Sequence, residues 1–210
     1  MIDNKHSTDE GRDHDTDDRS PHAHRRWTGF LAHRWPTAVG IAVAALTAFD
    51  LRIDVESISF LSALVVIMPL VYVGAAVLER RRFAWVVLLV AIAALVLTQV
   101  LDLKINLVLV LLVVALAFLV VGVARGQLRR PGGLTLQTAG MLAFGATALA
   151  AFYVDPDLGG YLVAFALLGH AAWDAIHYVR NRVVPRSYAE FCAVFDLLLG
   201  AAILFVLFMR

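Results

Sequence analysis

Cysteine, lysine and charge are what this sequence has least of. Cys192 is the only cysteine, so no disulfide can form within the chain. It lies in an apolar run, where a thiol behaves as a small hydrophobe. Lysine occurs only at Lys5 and Lys104, the other 16 basic residues being arginine, a bias we read as that of a GC-rich bacterial genome. Only 17% of the 210 residues are charged while 60% are hydrophobic, and the mean hydropathy is +0.77. A soluble domain carries about a quarter charged residues and is about half apolar, so that class is excluded. Short strands of alternating polarity are absent, which excludes a membrane β-barrel. The first thirty residues lack the apolar stretch of a signal peptide, so none is expected. A phosphate-binding glycine loop, a Ser-His-Asp spacing motif and a basic stripe for nucleic acid are also missing.

What remains is a pattern of long apolar runs broken by short charged islands, as in a polytopic all-α membrane bundle. Residues 1–25 have almost no apolar side chains and read as a disordered cytoplasmic tail. Five of the seven histidines lie at or just beyond it: His6, His14, His22, His24 and His33. Residues 26–35 mix arginine with Trp27, Phe30 and Trp35 and suit the headgroup layer. The transmembrane helical domain, 36–210, holds seven apolar segments, at 36–51, 57–78, 84–101, 105–124, 134–154, 159–179 and 188–209. Each needs roughly 20 residues to cross about 30 Å of hydrocarbon, and the first is the shortest. The fourth is apolar on every face and is expected to meet lipid widely. The fifth, rich in alanine and glycine, is expected to pack inside the bundle. Pro69 should bend the second segment, and Gly169 should admit a close neighbour.

The N-terminal arm, ERRR (79–82), RGQLRR (125–130) and RNRVVPR (180–186) hold 15 of the 18 lysines and arginines. The remaining loops hold Asp50, Arg52, Asp54, Glu56, Asp102, Lys104, Asp155 and Asp157, and Arg210 ends the chain. With seven spans the two sets alternate, and positive loops stay inside. The N-terminus is therefore expected inside and the C-terminus outside, in a bacterial cytoplasmic (inner) membrane. Segments 1–3 and 5–7 share an orientation, which suits a 3+1+3 parallel repeat. The bilayer is the partner implied; a homo-oligomer or a further membrane protein stays open.

The sixth and seventh segments carry what a span should lack. His170, Trp173, Asp174 and His177 share one helical face. Tyr188, Cys192, Phe195 and Asp196 share a face on the next segment, with Glu190 roughly 200° around from Cys192. His170 and Asp196 lie about 13 and 12 Å from the intervening turn, at matching depth. Asp174 falls level with Cys192, and His177 near the inner boundary with Tyr188 and Glu190. Ionisable groups at such depth are costly and mark function. One reading is interhelical packing through His170–Asp196 and Asp174–His177 hydrogen bonds. A second is binding or permeation of a proton, metal ion or small polar solute, for which histidine beside a carboxylate is suited. A third is a membrane enzyme built around a divalent metal such as zinc. Two ligand sets are available: His170 with Asp174 and Asp196, or His177 with Asp174 and Glu190. Neither has the HExxH helix of zincins, and a bis-histidine haem is excluded because both membrane histidines share one helix. Tyr72, Thr98, Gln99, Asn106, Gln137 and Thr138 read as interfacial residues with structural hydrogen bonds.

The run HAAWDAIHYVRNRVVPRSYAEFCAVFDLLLG resembles the C-terminal part of uncharacterised small multi-pass integral membrane proteins of actinobacterial type. The resemblance covers about thirty residues and implies no function. Seven spans with the N-terminus inside are also similar to the progestin and adipoQ receptor and haemolysin III group. That group's zinc histidines have no counterpart here, because the second and seventh segments contain no histidine. Microbial rhodopsins need a lysine in the last helix, and this chain has none there.

Overall fold

A computed structural model describes residues 34–49, 51–129 and 133–210. The tail, residues 26–33, position 50 and positions 130–132 fall outside them. Among the described residues the regular elements are seven α-helices and one 3₁₀ turn, with no strand. The helices are α1 (Trp35–Ala48), α2 (Val55–Val77), α3 (Phe83–Val100), α4 (Leu107–Ala124), α5 (Leu134–Tyr153), α6 (Pro156–Arg180) and α7 (Arg186–Phe208), with the 3₁₀ turn at Gln127–Arg129 after α4. Six of them, α2 to α7, are long and apolar enough to cross a membrane, whereas α1 is a shorter apolar helix of 14 residues. At 1.5 Å per residue α1 spans about 21 Å.

Short polar side chains begin three of the helices. Asp54 accepts a hydrogen bond from the Ser57 backbone N–H at 2.8 Å, Asn106 from Leu109 at 3.1 Å, and Asp155 from Leu158 at 3.0 Å. Each satisfies a donor that helix geometry leaves without an intrahelical partner. Pro156 follows Asp155 at the first helical position, where its missing N–H removes nothing. At its other end α6 stops at Asn181, whose φ of 48° is the left-handed conformation asparagine tolerates.

The helix inside the bundle is α2, not α5. In its most apolar stretch 89% of residues are buried, against 39% for α5 and 22% for α3 and α4. It packs on α3, α4, α5 and α6, while α7 lies between α6 and α1. Only some of the alanines and glycines of α5 are buried: a Cβ on Gly140 would meet the Trp173 ring of α6 at 3.1 Å and one on Gly145 the Leu112 side chain of α4 at 3.1 Å, while Ala139, Ala143, Ala146 and Ala150 are exposed. The low burial of α4 agrees with its all-round apolar sequence. Close helix approach falls on Gly40 and Gly200, not on Gly169. A Cβ on Gly40 would meet the Phe191 carbonyl oxygen at 2.9 Å, and one on Gly200 the Ala164 carbonyl oxygen at 3.1 Å. Gly169 is exposed, and a Cβ there would make only an ordinary contact with Phe144 at 3.5 Å.

The loops gather at two ends. At one, Arg210 bonds Asp157 at 2.7 Å and the Ile53 carbonyl at 3.0 Å. At the other, Gln127 donates to the Val77 carbonyl at 3.0 Å and to Glu79 at 3.1 Å, Arg81 reaches Asn181 at 3.4 Å, and Trp85 reaches Ser187 at 3.3 Å. The second end carries the arginine-rich loops.

Candidate functional site

Between α2, α6 and α7 the helices bring one imidazole and two carboxylates together. His170 Nδ1 lies 3.0 Å from Asp174 Oδ2 and 2.9 Å from Asp196 Oδ2. The first contact follows from i, i+4 spacing on α6. The second crosses to α7 at equal depth, where Gly200, one turn beyond Asp196, lets the two helices close. On the far side Tyr72 of α2 donates its hydroxyl to Asp174 Oδ1 at 2.5 Å. The result is a continuous chain of side chains, Tyr72–Asp174–His170–Asp196. All four are buried, with Asp174 and Asp196 at 0% exposure.

Two polar atoms of the cluster have no hydrogen-bond partner: His170 Nε2 and Asp196 Oδ1. The His170 ring sits edge-on to Phe144, centroids 5.0 Å apart, and to Tyr72 at 5.7 Å. Buried polar groups are nearly always paired, so these two atoms leave room for one more interaction. Among the described buried residues there is no lysine or arginine. Two carboxylates in a medium that hardly screens charge therefore share a single imidazole, and their neutralisation requires a proton or a metal ion.

The other expected site residues divide in two. Trp173, half-buried, packs over Gly140 and lies tilted against His177 with centroids 5.0 Å apart. Tyr188, fully buried, stands edge-on to Tyr72 at 5.9 Å and to Trp85 at 5.6 Å. These two wall the cluster. Cys192, also buried, faces an apolar cavity of about 330 Å³ with Phe195, Trp85 and Val43. Glu190 bonds Thr37 of α1. Its place round the helix from Cys192 turns it to α1, so the set His177–Asp174–Glu190 is not assembled. The expected Asp174–His177 bond is replaced as well. His177 Nδ1 lies 2.9 Å from the Trp173 carbonyl and its Nε2 3.1 Å from Gln137 Nε2, while Asp174 is taken by His170 and Tyr72.

Tyr72 and Gln137, interfacial by sequence position, are instead buried contributors, at 1% exposure. Tyr72 sits in an apolar run whose helix is covered on all sides, so no face of it pointed inward. Gln137 carried a weak signal: a glutamine on the alanine- and glycine-lined face of α5.

Most of the neighbouring buried polar groups lie on one side of the cluster. Toward the arginine-rich end come His177, Gln137 and Tyr188; toward the acidic end the buried faces of α6 and α7 are Val163, Ala164, Leu167, Leu199 and Ile203. On α2, Ser62 is the buried polar side chain in that direction. Three ligand atoms, one each from His170, Asp174 and Asp196, lie within 4.8 Å of one another. A tetrahedral site with bonds of about 2.0 Å has edges of about 3.3 Å, so a small opening of the 2.9 and 3.0 Å contacts would admit such an ion.

The fold and this site define a multi-pass helical membrane protein with a buried His–Asp cluster. Comparison of the chain with protein-family models, curated proteins and solved structures finds no match.

Proposed function

We propose that this chain is a bacterial inner-membrane protein, N-terminus in the cytoplasm, that binds a cation at a closed intramembrane site entered from the arginine-rich end. The ligands are His170, Asp174 and Asp196, and the cation is a divalent metal such as zinc. One observation carries this reading: two buried carboxylates and an imidazole converge where, among the described residues, no buried lysine or arginine balances them. The apolar faces of α6 and α7 toward the acidic end argue against a continuous polar path, so binding is favoured over permeation. A hydrophobic shell and outer hydrogen bonds tune such a site; Tyr72 supplies one to Asp174, and the Phe144 ring limits access to His170.

The test is elemental analysis of purified full-length protein beside His170→Ala and Asp174→Ala. Near-stoichiometric metal in the wild type, lost in both variants, is expected. Wild-type protein that carries no metal, even after dialysis against zinc, would overturn the metal reading. A second reading then holds, in which the cluster stores a proton, favoured by the unbroken chain from Tyr72 to Asp196.

A further inference from the structure

At the arginine-rich end lies a cavity of about 340 Å³, away from the His–Asp cluster. Two loops build it. The α2–α3 turn supplies Arg80 and Arg81, and the α6–α7 turn supplies Arg182 and Val183. Its apolar floor is Ala75 and Ala76 near the end of α2. Glu79 also lines it, with its Oε1 accepting from Gln127 Nε2 at 3.1 Å. Three guanidinium groups against one carboxylate leave the lining positive. Among the described residues neither Arg80 nor Arg182 forms an ion pair.

We infer that this cavity binds the phosphate headgroup of an anionic phospholipid, with the first part of its acyl chain against Ala75 and Ala76. The cavity stands where α2 and α6 end, and the ends of membrane-spanning helices are where headgroups are met. Basic pockets between helices on the cytoplasmic side hold such lipids, and arginine matches phosphate oxygens with two parallel donors. The two loops are tied across the site by Arg81 and Asn181 at 3.4 Å. The backbone adds a second signal. Val183 has φ 67° and Glu79 φ 52°, both in the left-handed region, and a β-branched residue there is a rare conformation. Strain of this kind concentrates at ligand-binding sites. At Val183 it lets the short turn carry Arg182 beside the arginines of the other loop. The inference does not depend on the cation site.

Native mass spectrometry of the full chain in mild detergent tests it, with dioleoylphosphatidylglycerol, dioleoylphosphatidylcholine or inorganic phosphate added separately. Retained phosphatidylglycerol is expected, with far less phosphatidylcholine and no effect of phosphate. Arg81→Gln/Arg182→Gln should weaken phosphatidylglycerol retention on the order of tenfold. Arg125→Gln/Arg129→Gln, which removes the same charge outside the cavity, should leave it nearly unchanged. Ala76→Met, which fills the floor without altering charge, should weaken it as well, and it serves if the arginine variant misfolds. Equal losses in both arginine pairs would mean diffuse surface attraction and overturn the site. Saturable binding of inorganic phosphate alone would overturn the lipid assignment, as would equal retention of the two lipids.

Discussion

Asp174 is the residue on which the cluster turns, because it accepts from Tyr72 with one oxygen and contacts His170 with the other. Removing the phenol leaves a buried carboxylate oxygen without its donor. Tyr72→Phe is expected to cost about 1–2 kcal/mol, at the upper end of what interhelical hydrogen bonds contribute in membranes. Unfolding of wild type and variant in mixed micelles measures it, and an unchanged midpoint would show that the bond contributes nothing. Outside the membrane-spanning segments the same chemistry acts on Asp54, whose carboxyl lies below its ordinary value of 3.8 because it accepts the Ser57 backbone N–H. A lowered value in the folded state means stabilisation that is complete above 3.8 and lost as pH falls through the folded value. The difference in thermal midpoint between wild type and Asp54→Ala should therefore be present at neutral pH and shrink in strong acid. A difference that persists there would locate the effect elsewhere.

Helix pairs decide whether those residues meet. Gly200 sits one turn beyond Asp196, where a Cβ would press on the Ala164 carbonyl at 3.1 Å and on Leu168 at 3.1 Å. Gly200→Val should part α6 from α7, lowering stability by about 1–3 kcal/mol and reducing metal occupancy with it. Gly169→Ala, which adds only a contact at 3.5 Å, should leave both unchanged. Parallel thermal scans and elemental analyses distinguish the pair; loss of metal in both would mean that helix spacing is not what positions the ligands. This scale also marks what was readable in advance. The sequence pairs His170 with Asp196 because both count to the same depth from one short turn, and the 2.9 Å contact is there. It places Asp174 with His177, and the structure pairs Asp174 with Tyr72 instead. Tyr72 is 102 positions away, on a helix apolar all round, and periodicity names a buried face only when another face is polar. The same lack of contrast hid the central place of α2 and drew attention to the small residues of α5.

For the whole molecule, the charge of the loops was the legible part. The loops holding Glu79, Arg81, Gln127 and Asn181 meet at one end, and Ile53, Asp157 and Arg210 at the other. This sorting follows the division by arginine content, although no charge in the sequence says which helices touch. An inside N-terminus and outside C-terminus predict that alkaline phosphatase fused after Arg210 is active, while a fusion in the 125–129 loop is not. The reverse pattern would invert the protein and place the entrance to the cation site on the periplasmic side.

The central position of α2 also has a consequence for how the protein is made. α2 is synthesised early, yet α5 and α6, two of the helices that cover it, come after it. Asp174 follows Tyr72 by 102 positions, which translation at roughly 5–20 residues per second takes about 5–20 s to deliver. Through that interval the phenol of Tyr72 must rest among lipids or at the insertion machinery without its carboxylate. The innermost helix thus stays exposed through most of synthesis, and the bundle closes around it only when its sixth helix arrives.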